Sequence, residues 1–250
     1  MQGPKDEVLR AGAVVRGSLA DAYGYLGTVV LLSLAWFAWL ACAAFVLSFF
    51  IKSFVAMVPV VLVVAAPPAG AAFHVTGLIL NGRDAVPRDF SIGLRKFFLR
   101  SLGVMAAHVG VLGVVAVDIA WFLTRPGMTV KVIGGLWLYA LLFLAMMTLY
   151  CFPIMVQQDA GFRKVFKRAA LLVLANPFYS LAILVFEVAV TALCVFLAPA
   201  FSLLYMGVIA FAGNRATRML FEKYGVLSES ENEDYDGASS ANCVDVHFVE

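Results

Sequence analysis

Four residues capable of acid–base chemistry lie inside apolar runs long enough to cross a bilayer: Glu187, Asp118, His74 and His108. Ionisable groups at that depth are costly and mark ion or substrate paths or interhelical contacts. Glu187 is the one acid of the run Ala169–Gly213, near the middle of a helix expected over about Phe178–Leu197. Two readings fit it: a proton or substrate relay, or a neutral carboxyl bonding across helices. No Lys or Arg in that run could pair with it. Asp118 sits five residues before the far end of the run Ser101–Leu123, beside Trp121 and close in sequence to Arg125 and Lys131. At ~1.5 Å per residue this is within about 8 Å of the surface, where hydration and an aromatic belt formed with Trp137 are expected. His74, His108 and Cys151 fall at a similar depth, about 10 Å from the opposite surface. Such a trio would suit a soft metal. A fourth ligand is not evident, and interhelical hydrogen bonding accounts for all three, so no metal site is expected.

The search for catalytic motifs is empty. The chain has no G-x-x-x-x-G-K-[ST], H-E-x-x-H or G-x-S-x-G, and so no phosphate cradle, zinc-protease pair or nucleophile elbow. Cys42, Cys151, Cys194 and Cys243 are far apart and form no C-x-x-C pair, which argues against a disulfide framework or zinc finger. No catalytic residues, enzymatic activity or cofactor are expected.

Composition sets the class. Of 250 residues, 63% are hydrophobic and 14% charged, and mean hydropathy is +0.93. A soluble domain carries about 45–50% apolar and about 25% charged residues, so this chain cannot coat a soluble globule. A net charge of +2 gives no field to hold a nucleic acid. The expected class is all-α: a polytopic helical membrane protein.

The elements that must position the four residues follow from the apolar runs. Leu26–Phe50, Phe54–Leu80, Ser101–Leu123 and Val132–Val156 each fit one span. Ala169–Gly213 would reach about 65 Å as one helix, roughly twice the hydrocarbon thickness. It divides into two spans with a turn at Ala198–Pro199, giving six transmembrane helices. The first run exceeds the 7–15 residues of a cleavable leader and is expected to be retained. Pro59, Pro67 and Pro68 are expected to kink the second span, and Asn176-Pro177 to mark a bend into the fifth. With six spans, the loops on the side of both termini carry all the basic residues except Lys52, Arg125 and Lys131, which is 15 of 18. That asymmetry makes both termini cytoplasmic. The organisation is a cytoplasmic N-terminal segment (1–25), a six-helix transmembrane domain (26–227) and an acidic disordered tail (228–250). The tail holds seven acids and no Lys or Arg.

Two short basic interfacial helices are expected on the cytoplasmic side, at Arg88–Arg100 and Gly161–Ala175. Both interleave aromatic and cationic residues, a pattern that lies in the headgroup plane against anionic lipid. Gly93–Arg100 (GLRKFFLR) aligns without gaps on Gly161–Arg168 (GFRKVFKR), with five of eight positions identical at a spacing of 68. Arg95, Lys96, Arg163, Lys164, Lys167 and Arg168 are the candidate docking residues for a cytoplasmic partner. Shared basic–aromatic composition without docking is the plainer alternative.

Ala66-Pro67-Pro68-Ala69-Gly70-Ala71-Ala72-Phe73, the polar turn Asn81–Asp84, the Arg163–Arg168 helix, Ala175-Asn176-Pro177 and the closing Asn214-Arg215-Ala216 together resemble the YesL-like family of small bacterial membrane proteins. The resemblance covers about Leu19 to Gly225. It implies a multi-pass protein of the bacterial cell (inner) membrane, encoded beside carbohydrate-uptake systems. The function it implies is non-enzymatic assistance to a carbohydrate ABC importer, whose subunits would be the partners. The alternative is a small-solute transporter or permease in its own right, with Glu187 and Asp118 in its path.

Overall fold

In a lipid environment every backbone polar group must be satisfied within the protein, so uninterrupted apolar runs become helices. The computed structural model describes residues 4–197 and 202–225. Every element of regular structure among them is a helix. In chain order these are α1 (Pro4–Gly24), α2 (Leu26–Phe50), α3 (Phe54–Val64), α4 (Ala66–Leu80), α5 (Pro87–Thr124), α6 (Met128–Gln157), α7 (Phe162–Ala175), α8 (Pro177–Phe196) and α9 (Tyr205–Lys223). Five stretches are long and apolar enough to cross a bilayer: α2, α3 continued by α4, α5, α6 and α8. The architecture is that of a polytopic helical membrane protein. α9 is not among the five, because its apolar stretch ends at Gly213 and Asn214, Arg215, Arg218, Glu222 and Lys223 follow. The Ala198–Pro199 turn and the acidic tail 228–250 lie outside the described residues.

The proline-rich second span breaks where the residues require it. Pro59 sits inside α3, and Ala65 separates α3 from α4, which has Pro67 and Pro68 in its first turn. Pro68 has no N–H to return to Val64 O one turn back. The indole of Trp39 donates to that carbonyl at 2.9 Å, and the indole of Trp36 donates to Ala65 O at 3.2 Å. Two tryptophans of α2 thus re-satisfy the backbone around a membrane helix break.

One expectation is corrected. Arg88–Arg100 is not a separate interfacial helix. It is the first third of α5, a single helix of 38 residues, about 57 Å long at ~1.5 Å per residue. After Pro87 the sequence contains no proline before Thr124, and a charge does not by itself break a helix. Asp89 secures the start by accepting the Val86 N–H at 2.8 Å. The second expected interfacial helix does stand alone. α7 is a 14-residue helix ending at Ala175 and followed by Asn176, and Pro177 opens α8.

The core lies towards one end of the bundle. Nearly all of α4 is buried, as are the last turns of α6 (Met146–Met155) and much of α9. Small residues allow this. At Gly93 of α5 an added Cβ would lie 2.8 Å from His74 Cδ2 of α4. The opposite halves of α2, α5, α6 and α8 turn large apolar side chains outward, among them Phe50, Trp121, Tyr139 and Phe196. Lipid is as apolar as these side chains, so leaving them there costs nothing.

Contacts identify the end where the polar connections meet. Arg215 of α9 pairs with Asp21 of α1. Arg218 donates to Asn81 Oδ1 at 3.1 Å, beyond α4. Lys223 Nζ donates to Asn176 Oδ1 at 2.6 Å, and Tyr179 OH donates to Ala216 O at 3.1 Å. Glu7 of α1 accepts the Tyr179 N–H at 3.2 Å, placing a carboxylate at the positive N-terminus of α8. This basic end therefore gathers α1, the 81–86 and 158–161 connections, α7 and the close of α9.

Candidate functional site

The six basic residues singled out for docking are all exposed at the basic end. α5 and α7 present them with matching inner faces. Phe97, Ser101, Val104 and His108 are buried, and so are Val165, Ala169, Leu172 and Asn176, each 68 positions on. The repeat thus extends past its eight residues as a buried i, i+4, i+7, i+11 stripe, which is the inward side of an amphipathic helix. Arg95, Lys96 and Arg100 stand outside one stripe, and Arg163, Lys164 and Arg168 outside the other.

Asp159 joins the two segments, and sequence reasoning missed it. It lies in the connection before α7, with φ of +45°, a left-handed conformation that Asp tolerates better than most residues. Lys96 Nζ is 3.4 Å from its carboxylate, and Arg100 pairs with it directly. Arg168 meanwhile donates to Gln158 Oε1. Slight burial works against ionisation of Asp159. Lys96 and then Arg100 outweigh it and hold the carboxyl below its ordinary range. A depressed folded-state value adds stability that is complete above the unfolded value and lost as pH falls through the folded one. Hydrogen exchange across 158–161, corrected for intrinsic rate, should therefore show protection falling as pH drops below about 4. Asp159→Asn should show the weakened protection already at neutral pH. The effect should be small, because the pair is half exposed and solvent-screened. Equal protection in both proteins would remove the tie.

The intramembrane residues do not converge on one centre. His74 packs against Phe97, with ring centroids 5.6 Å apart. His108 Nε2 lies 2.6 Å from Thr148 Oγ1, and the Thr148 hydroxyl also reaches Leu144 O at 3.2 Å. Its Nδ1 is buried without a partner among the described residues, and its ring stacks on Phe166 of α7 at 6.3 Å. Cys151 Sγ donates to Met147 O, one turn back. Among the described residues no three His, Cys, Asp or Glu side chains gather where a metal could be held. Asp118 is half-buried and forms no ion pair among the described residues. Arg125 instead lies over the Trp121 ring at 5.0 Å.

Glu187 is placed differently from the rest. It lines a cavity of about 200 Å³ together with Trp36, Phe73, Thr148, Phe152 and Tyr205. Its backbone carbonyl accepts the Thr191 hydroxyl at 2.7 Å. No described side chain bonds its carboxylate.

Sequence reasoning named Asn214 of α9 only as part of the closing Asn214-Arg215-Ala216 and gave it no role. Its Nδ2 donates to Phe73 O and to Thr76 Oγ1, both at 2.7 Å, and its Oδ1 accepts Gln157 Nε2 at 2.9 Å. One buried amide thereby ties α4, α6 and α9 together. An Asn closing an apolar run immediately before Arg215 was the available signal.

No protein-family model, curated protein or solved structure matches the chain.

Proposed function

We propose that this chain is a six-span protein of the bacterial cell membrane with both termini in the cytoplasm. In this reading it assists a carbohydrate ABC importer without catalysing a reaction. α5 and α7 dock the partner through Arg95, Lys96, Arg163, Lys164, Lys167 and Arg168, and anionic lipid flanks the same face.

The single observation that carries the reading is the paired basic surface. Two segments with matching sequence, matching buried stripes and outward cations are tied together at Asp159. Such a surface suits an acidic protein face better than a neutral solute. The topology is supported by the course of the chain. α8 starts at the basic end and runs 20 residues away from it, about 30 Å. α9 nevertheless finishes at the basic end, where Lys223 meets Asn176. The return course that ends in α9 supports the sixth span of this reading. The concentration of Lys and Arg at that end then makes it cytoplasmic.

The test is a mild-detergent capture from native membranes with the retained proteins identified by mass spectrometry. Importer subunits should be recovered in stoichiometric amounts. Exchanging all six cations for Gln should abolish their recovery while the variant stays folded and monodisperse. Recovery of the wild-type chain alone, or unchanged recovery with the variant, would overturn the reading.

A further inference from the structure

We infer that the cavity around Glu187 is a binding site for a small organic cation of the quaternary-ammonium class. This goes beyond the docking reading and stands without it.

Four of the thirteen residues that line the cavity are aromatic, and most of the others are aliphatic. Trp36 of α2 and Tyr205 of α9 pair at 5.7 Å between ring centroids. Phe73 of α4 and Phe152 of α6 stack at 5.5 Å with planes 7° apart. Both pairs line the same space as the Glu187 side chain. A ring face attracts a cation, and aromatic side chains beside a carboxyl group are a means by which proteins hold alkylated ammonium groups.

Most of the polar groups on the wall are already engaged. The Trp36 indole donates to Ala65 O at the helix break. Thr148 is shared between His108 and Leu144 O. Tyr205 also has an interaction of its own. The Glu187 carboxylate alone of these has no partner among the described residues. An entering molecule therefore meets aromatic and aliphatic walls and one unengaged carboxyl group. A sugar would find too few partners for its hydroxyls and would lose its hydration without compensation. An anion would find no Lys or Arg on the wall to balance its charge. An alkylated cation needs no donor from the wall, and it supplies the counter-charge with which a carboxyl group in an apolar setting can ionise. Size points the same way. The cavity holds about 200 Å³, below the roughly 300–1,000 Å³ of drug-sized pockets.

The probe is tetraethylammonium, titrated calorimetrically into the purified full-length protein in lipid nanodiscs, with methyl glucoside as the neutral comparison. Tetraethylammonium should bind saturably at one site, and methyl glucoside should not bind. Glu187→Gln is close to isosteric and should weaken binding by about tenfold or more. Tyr205→Phe keeps the ring and should bind nearly as well as wild type, whereas Tyr205→Leu should weaken binding. Unfolding midpoints measured in parallel show whether each variant remains folded. Absence of saturable binding by the wild-type protein would overturn the inference. So would affinity unchanged in Glu187→Gln, or equal affinity in Tyr205→Phe and Tyr205→Leu.

Discussion

Replacing Gly207 with leucine should leave little folded protein, and even Gly207→Ala should lower the unfolding midpoint in detergent. Gly207 lies in the first turn of α9, where that helix crosses α2. A Cβ built there would sit 2.7 Å from Val29 Cγ1, 2.8 Å from Val29 Cα and 2.9 Å from Val29 O. Two of those three atoms belong to backbone, so no rotamer change relieves the clash. The helices would have to separate. The Gly207 N–H also donates to Ser33 Oγ at 3.0 Å, supplying one of the orphan donors of a helix start with a partner. Separation would break that bond inside the bundle. Overpacking of this kind costs about 1–3 kcal/mol for one or two added carbons, and the lost cap adds to it. Gly110→Ala is the control, because Gly110 is exposed on α5 and an added Cβ meets nothing within 4 Å. A midpoint for Gly207→Ala equal to that of Gly110→Ala would show that α2 and α9 are not in such close contact.

The same crossing shows where sequence reasoning stops. Leu26–Phe50 and Pro177–Phe196 are legible as spans because apolar runs bounded by polar residues have one good solution in lipid. The break near Pro67 and the bend at Asn176-Pro177 are legible because proline removes a donor at a fixed place. Register between helices is not legible in this way. Nothing local to Gly207 says that Val29 faces it, since both lie in stretches that are apolar all round. The extension of α5 was misread for a related reason. The cations of Arg88–Arg100 report which solvent surrounds the chain, and the backbone continues through them regardless. The helix at Pro4–Gly24 was open to detection. Ala11, Val14, Ser18 and Ala22 are its buried face, and their spacing is helical. The cavity at Glu187 required the third dimension. Its walls include residues 36, 73, 148, 152, 187 and 205, which alone span five helices, and no sequence spacing links them.

Asn214→Leu should destabilise the protein by about 3 kcal/mol, enough to separate α9 from α4 and α6 at their basic ends. A single interhelical hydrogen bond in a membrane protein contributes only about 0.6–2 kcal/mol, because the separated helices find other partners. Asn214 is a stronger case because one side chain serves two helices. Its loss removes the donor to Phe73 O and Thr76 Oγ1, and the Oδ1 acceptor for Gln157 Nε2. Gln157 keeps its 3.2 Å bond to the Asn214 backbone carbonyl, which limits the damage on the α6 side. Leaving one partner buried and unpaired costs more than removing both. The double variant Asn214→Leu with Gln157→Leu should therefore be less destabilised than the sum of the two single variants. The shortfall measures the coupling across α6 and α9. Asn214→Asp keeps an acceptor for Gln157 but turns a second oxygen towards Phe73 O. It should be at least as damaging as leucine, because a buried charge facing a carbonyl is repelled. Chemical denaturation in mixed micelles gives all four values. Strict additivity of the two leucine substitutions would mean that Gln157 does not depend on the Asn214 side chain, and α9 would then be held mainly by its packing at Gly207.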